Sequence, residues 1–165
     1  MLSGLPGTGK STLAEALARD LGAPVLSVDP IEAAIVRAGI ERSFVTGVAA
    51  YLVADELASE TLDRGQAAIV DAVNAVEWAK QLWLDRAARA AAELRVIECT
   101  ISDEAEHRVR LEARRGPYGF EPSWTDVVAR RAEWTSWQIS TLVVDALDPV
   151  ASNVARAIAW IGAVR

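Results

Sequence analysis

A glycine-rich segment near the start of the chain has the residue types and spacing of a phosphate-binding loop. Its sequence is Gly4-Leu5-Pro6-Gly7-Thr8-Gly9-Lys10-Ser11-Thr12, which matches Gly-x-x-x-x-Gly-Lys-Ser at every fixed position. The glycines let the backbone turn its N–H groups inward, and the helix that follows presents its positive end to an anion. In this pattern the lysine reaches the β and γ phosphates, and the serine hydroxyl ligates Mg²⁺. All of these residues are therefore expected to hold ATP or GTP.

Three aspartates, Asp29, Asp71 and Asp145, directly follow short apolar runs that are typical of buried strands. The carboxyl ends of parallel strands meet at one edge of a sheet, where ligands collect. The phosphate loop makes a functional role more probable for Asp29 and Asp71 than for a lone aspartate. Aspartate is also a common residue at helix N-caps, and this alternative remains open.

The wider pattern alternates short apolar runs with helical stretches, which predicts an α/β fold with a parallel sheet. Strands are expected at 1–3, 24–28, 67–70, 94–100 and 141–144. Helices are expected at 11–21, 30–38, 46–64, 76–92, 102–115, 125–137 and 149–164. Only three residues precede Gly4. The first strand is therefore very short, or native residues precede this sequence.

Composition narrows the functional classes. The 165 residues favour one domain, and the net charge of −6 argues against general binding to nucleic acid or anionic membranes. No apolar run is long enough for a membrane span, and no secretory signal precedes the loop. A single cysteine, Cys99, is expected in a buried strand and fits a reducing, cytoplasmic setting.

Two large classes of phosphate-loop proteins lack support. Lys80 is followed by Gln81, so the guanine-reading element of GTPase switches is absent. Motor and ring ATPases carry an acidic pair after the second acidic strand, whereas Asp71 is followed by Ala72. The small size, an arginine-rich helix and a Pro/Gly loop at 116–123 instead favour a small-molecule kinase with a mobile lid.

Taken together, the motifs resemble the AAA_33-type P-loop kinases. This group includes gluconate kinase, chloramphenicol phosphotransferase, polynucleotide-kinase-like and zeta-toxin-like proteins. The segments that carry the resemblance are 4–12, Ser27-Val28-Asp29, Val70-Asp71-Ala72-Val73-Asn74, Glu98-Cys99-Thr100-Ile101-Ser102 and Arg110-Leu111-Glu112-Ala113-Arg114. With the strand pattern, the resemblance implies a three-layer α/β/α P-loop domain spanning 1–165, with sheet order 2-3-1-4-5 and a small helical lid at about 110–137.

The resemblance also implies roles on the acceptor side. Asp29 is the expected catalytic base, facing the substrate hydroxyl, although it could act through Mg²⁺ instead. Asp71 is expected to hold Mg²⁺ through water and to lie beside the substrate. Asn74 is expected to bind substrate hydroxyls or the loop, with a purely structural turn as the alternative. Tyr51 is placed in the substrate cleft, with core packing as the alternative.

On the lid side, Arg110 and Arg114 share one helix face. The resemblance implies that they stack on adenine or clamp the transferring phosphoryl group, and the alternative is a solvated face paired with nearby glutamates. Arg130 and Arg131 are further lid candidates. Asp148 and Pro149 are expected beside the adenine. His107 is interpreted as a surface residue.

The resulting hypothesis is transfer of the γ-phosphoryl group from Mg·ATP to a hydroxyl of a small molecule. Asp29 would act as base, and Lys10, Arg110 and Arg114 would stabilise charge. One alternative is a nucleotide-dependent regulatory or binding module with slow ATP hydrolysis. Another is a toxin-type or antibiotic-modifying phosphotransferase. The sequence does not identify the acceptor.

Overall fold

The computed structural model describes residues 1–113 and 122–162. Its sheet contains β1 (Leu2–Ser3), β2 (Val25–Ser27), β3 (Ile69–Asp71), β4 (Val96–Thr100) and β5 (Thr141–Asp145). Every strand pairing is parallel, and the spatial order is β2-β3-β1-β4-β5. This confirms the predicted order, and β1 is as short as the position of the loop requires.

Helices cover both faces of the sheet and complete three layers. They are α1 (Lys10–Leu21), α2 (Val28–Arg37), α3 (Phe44–Asp63), α4 (Glu77–Arg89), α5 (Glu104–Ala113), α6 (Trp124–Ala132) and α7 (Val150–Gly162). One buried cluster joins the sheet to Leu13 and Leu17 of α1 and Ala157 of α7. A second cluster joins it to Ala54 of α3 and Trp83 of α4. The central strands are thus apolar on both faces, as parallel sheets require.

Several predicted boundaries differ from the structure, and two of the differences affect the surroundings of the candidate site. The strand predicted at 24–28 ends at Ser27, and α2 begins at Val28, so Asp29 lies in the first turn of a helix. Pro30 fits in this first turn because the first N–H groups of a helix have no partner within it. The helix predicted to reach 137 ends at Ala132, since the Thr135 N–H bonds to the Ala75 carbonyl and the Trp137 indole bonds to Ser3 Oγ.

Other expectations for single residues are confirmed. Asp71 and Asp145 each end a strand, and Cys99 is buried within β4. Trp137 is buried in the second of these clusters. Across the described parts of the chain, no helix combines the length and apolarity that a membrane crossing requires.

Candidate active site

The phosphate loop follows β1 and leads directly into α1. The Gly4 N–H donates to the Val73 carbonyl at 3.2 Å, which fixes the start of the loop against the segment after β3. Gly4 has φ of 150°, and a Cβ there would lie 2.3 Å from the Cys99 carbonyl oxygen. Only glycine fits so close to that backbone. Gly9, with φ of 75°, is the N-cap of α1 and turns the chain into the helix.

The side chains of the loop are held by the loop itself. Lys10 is only 7% exposed, and its Nζ donates to the Leu5 carbonyl at 3.2 Å. Thr8 Oγ1 donates to the same carbonyl at 2.7 Å. The ammonium group therefore lies over the loop, where a bound β or γ phosphate would meet it.

Asp71 connects the loop to the acceptor side of the sheet edge. Its Oδ2 accepts hydrogen bonds from Ser11 Oγ at 2.7 Å and from Ser27 Oγ at 3.3 Å. Hydroxyl and carboxylate oxygens are the donors that Mg²⁺ prefers, so this pair fits the predicted ion. In ranges 1–113 and 122–162, no group of three or more His, Cys, Asp or Glu side chains could hold a metal. Phosphate oxygens and water would therefore have to complete the coordination of Mg²⁺.

A cavity of about 760 Å³ opens beside the loop, between α2, α3 and α6. Its lining includes Pro6 of the loop, Asp29, Tyr51, Trp78 and Arg130. Asp29 is exposed in the first turn of α2 and lines this cavity. The volume suits a small organic molecule. The structure thus brings Asp29 and Tyr51 to the same cavity as Pro6 of the phosphate loop, and Tyr51 also packs against the second buried cluster.

The family model of the AAA domain, AAA_33, matches residues 1–134, which is most of the chain. The chain belongs to the AAA_33 family. No curated protein matches the sequence.

Solved structures of kinases share the fold of this AAA_33 domain. A sugar kinase from Janibacter sp. HTCC2649 has a TM-score of 0.75 at 17% identity, covering 97% of this chain and 91% of the other. A gluconokinase from Sinorhizobium meliloti 1021 has a TM-score of 0.70 at 18% identity, covering 99% of this chain and 90% of the other. The Mycobacterium tuberculosis APS kinase CysC, in complex with AMPPNP and APS, has a TM-score of 0.68 at 19% identity, covering 97% of this chain and 94% of the other. The AAA_33 domain therefore has a P-loop kinase fold.

Tyr51 lines the cavity of the AAA_33 domain and is hydrogen-bonded to Asn74. The Tyr51 hydroxyl accepts the backbone N–H of Asn74 at 3.1 Å, and burial raises the pKa of this phenol to about 12. The Asn74 side chain is fully buried. Its amide nitrogen donates to backbone oxygens of Leu2 and Ala72, and its Oδ1 accepts from the Trp83 indole at 2.9 Å. This corrects the prediction that Asn74 binds substrate, because its amide is enclosed by protein groups and has no exposed surface. The structure instead fits the alternative, a structural role in the turn.

Arg110 joins the lid side to the turn after β5. Its guanidinium donates to Glu106 at 2.7 Å and to the Ala146 carbonyl at 2.9 Å. Arg110 therefore makes the glutamate pair that was the alternative to a nucleotide contact. It also contacts the turn after β5, where adenine is expected. The predicted role of Arg114 falls outside the described residues. Arg131 pairs with Glu104 at 2.7 Å and lies over the Trp124 ring.

The turn after β5 is fixed by Asp145, whose Oδ1 accepts the Ser102 and Leu147 N–H groups. A hydrogen bond from the Ser102 side chain has the largest effect on the pKa of the Asp145 carboxyl. Together with the two backbone bonds, it holds this pKa below its usual range. Asp148 follows in the same turn and pairs with Arg156 at 3.6 Å. Pro149 immediately precedes α7. The contact of Asp148 and Pro149 with adenine stays a prediction.

The interpretation of His107 as a surface residue was wrong. His107 is 1% exposed, its Nε2 lies 2.7 Å from the Pro6 carbonyl oxygen, and its ring packs edge-on against Trp124. It joins α5 and α6 to the phosphate loop. The one sequence signal was its position four residues before Leu111, which places the two on one helix face.

Sequence reasoning also missed Lys80, which is 1% exposed on α4. Its Nζ donates to the carbonyl of Thr135 and, at 2.6 Å, to its hydroxyl, and it lies over the rings of Trp134 and Trp137. Burial lowers the pKa of the ammonium, and Glu77 and Glu98 oppose this shift. Lys80 thus fixes the segment that follows α6 to the layer beneath the cavity.

Proposed function

We propose that this protein is an ATP-dependent kinase that transfers the γ-phosphoryl group of Mg·ATP to a hydroxyl of a small molecule. The observation that carries the proposal is the single cavity shared by Pro6 of the phosphate loop and the exposed carboxylate of Asp29. A phosphate held by the loop and a hydroxyl beside Asp29 would then meet in the same cavity. The family and the kinase fold support this assignment.

In the proposed reaction, Asp29 orients the acceptor hydroxyl and accepts its proton. The acceptor oxygen forms a bond to the γ phosphorus as the bond to the β,γ-bridging oxygen breaks, and ADP leaves with that electron pair. Lys10 stabilises the negative charge on the phosphoryl oxygens, and Arg110 and Arg114 are proposed to assist from the lid. General base assistance of this kind contributes about 10²–10⁴-fold.

Ser11 would hold Mg²⁺ directly and Asp71 would hold it through water, because their oxygens lie within a hydrogen bond of each other. When bound, the ion would neutralise phosphate charge. Ser27 bonds to the same Asp71 oxygen and would keep the carboxylate oriented.

The proposal is tested by ADP release from Mg·ATP with and without each member of a panel of hydroxylated metabolites. We expect one class of compounds to raise ADP release well above the rate without acceptor. Mass spectrometry should then find the phosphorylated compound, and Lys10→Ala should abolish its formation. An ADP release that no compound changes, but that a protein partner does, would instead support the regulatory module. Drug protection or growth inhibition on expression would point to the antibiotic-modifying or toxin-type phosphotransferase.

A further inference from the structure

The charge of the acceptor cavity is unusual for a site that must sit beside ATP. Among the described lining residues, four side chains are acidic and two are basic: Asp29, Glu32, Asp126, Glu133, Arg42 and Arg130. The acidic side chains outnumber the basic ones even before a γ phosphate adds its own negative charge. Like charges that line one cavity repel an added anion, so these described side chains disfavour an anionic guest.

One of the two arginines is already neutralised by the cavity wall. Arg42 Nε lies 3.4 Å from Glu32 Oε1, and Thr46 donates to the same carboxylate oxygen at 3.0 Å. Asp126 accepts hydrogen bonds from the backbone and hydroxyl of Ser123, which hold the pKa of its carboxyl below its usual range. Arg42 is therefore directed to Glu32 rather than offered to a carboxylate or phosphate of the acceptor.

The same cavity has an aromatic wall. Trp78 is 37% exposed, and its ring meets those of Tyr51 and Phe44 edge-on, with centroids 5.1 Å and 6.4 Å apart. Phe44 is 75% exposed at the same wall. Aromatic rings bind the apolar faces of ring compounds, and they also attract cations. Acids and aromatic rings together are typical of sites for uncharged or amine-bearing ring compounds.

Building on the proposed kinase activity, we propose that the acceptor is a hydroxylated ring compound without negative charge, and that an amine on the ring strengthens its binding. The ring face would lie against Trp78 and Phe44. The amine would be held by the carboxylate of Glu133, with the charge of Asp126 nearby on the same helix, and the hydroxyl would point to Asp29. This arrangement assigns specificity to α3, α4 and α6 rather than to the phosphate loop.

The first test measures phosphorylation of matched triplets that share one ring skeleton and differ in charge. Glucosamine, glucose and glucuronate form one triplet, and an aminocyclitol, inositol and quinate form another. We expect kcat/KM to fall from amine to neutral to acid, with at least about a tenfold gap between the ends of the series. Preferred phosphorylation of the acids would overturn the proposal.

The second test reads the charge of the cavity without any acceptor. Fluorescence of Trp78, taken as the difference between wild type and Trp78→Phe, is quenched with caesium or iodide and normalised to free tryptophan amide. We expect caesium to quench Trp78 more strongly than iodide does. Glu133→Gln should reduce this difference between the two normalised quenching constants. The matched control is Glu15→Gln, an exposed side chain of α1, which packs on the other face of the sheet from α3 and α4. This change should leave the quenching unchanged. Stronger quenching by iodide would overturn the proposal.

The two tests separate the two proposals. If no triplet is phosphorylated although ATP binds, the result counts against kinase activity, and the quenching alone then decides the charge preference. If acids are phosphorylated best, the kinase activity stands and the inference about the acceptor fails.

Discussion

The nucleotide end and the acceptor end of this site hold their polar groups in different ways. At the nucleotide end, Lys10 is buried against the Leu5 carbonyl, and Ser11 already bonds to Asp71. At the acceptor end, Asp29 and Arg130 are exposed and make no hydrogen bond to another side chain among the described residues. The chain therefore organises the phosphate site by itself, whereas the acceptor must complete its own site. The proposed binding of the nucleotide and the proposed selection of the acceptor thus fall to separate parts of the molecule.

The largest expected effect breaks the nucleotide end. Lys10→Ala removes the ammonium that is proposed to face the β and γ phosphates, so ATP would lose its cationic partner in the loop. We expect calorimetry to detect no ATP binding. The control Arg19→Ala, on the exposed face of the same helix, should bind ATP like wild type. Retained micromolar affinity in Lys10→Ala would refute the assignment of the loop.

A change at Asp29 should separate the two ends. Asp29→Asn keeps the shape but removes the base, so kcat should fall by about 100-fold or more while the Kd for ATP is unchanged. The readouts are steady-state kinetics and calorimetry, with Asp20→Asn on α1 as the matched control. Equal losses in ATP binding and turnover would show that Asp29 belongs to the nucleotide end instead.

A change at Lys80 tests whether the segment after α6, beside the acceptor cavity, depends on the bonds from Lys80 to Thr135. Lys80→Met keeps the apolar stem but leaves the Thr135 groups without their charged donor, which should lower the free energy of unfolding by about 2 kcal/mol. Urea denaturation measures this, and Gln81→Met on the exposed face of α4 should change it by less than about 0.5 kcal/mol. No loss of stability in Lys80→Met would contradict the role given to this buried lysine.

The smallest expected effect concerns the phenol of Tyr51. Its pKa is raised to about 12, so the folded protein binds the phenolic proton more tightly than the unfolded chain, whose phenol has the usual value of 10.0. This stabilisation is complete below pH 10 and is lost as pH rises through the folded pKa of about 12. The ultraviolet difference between wild type and Tyr51→Phe should show one phenol ionising near pH 12. Ionisation near 10 would show that the ring is not buried.

The sequence predicts the conformation of the loop well because the loop is a local motif. The glycines of the loop adopt positive φ where the motif requires it, and the strand that ends at Asp71 is a plain apolar run. The sheet order also follows, since it depends on alternating strands and helices and on the family resemblance.

The acceptor end was harder to predict because it depends on long-range contacts. Asn74 reads as a polar residue after a strand, yet Trp83 and backbone groups enclose it. His107 stands among charged residues, yet it faces the loop. Lys80 looks like an ordinary surface lysine until Thr135 is placed over it. None of these partners is adjacent in the chain, so local spacing could not reveal them.

The measurement that tests the central claim most directly follows the γ-phosphoryl group itself. Mg·ATP labelled with ¹⁸O in the γ-phosphoryl group is incubated with the protein and a pool of small hydroxylated metabolites, and the products are analysed by mass spectrometry. The account predicts a labelled phosphate ester with wild type, and almost none with Asp29→Asn or Lys10→Ala. Label found only in inorganic phosphate, released equally by wild type and Asp29→Asn, would contradict it.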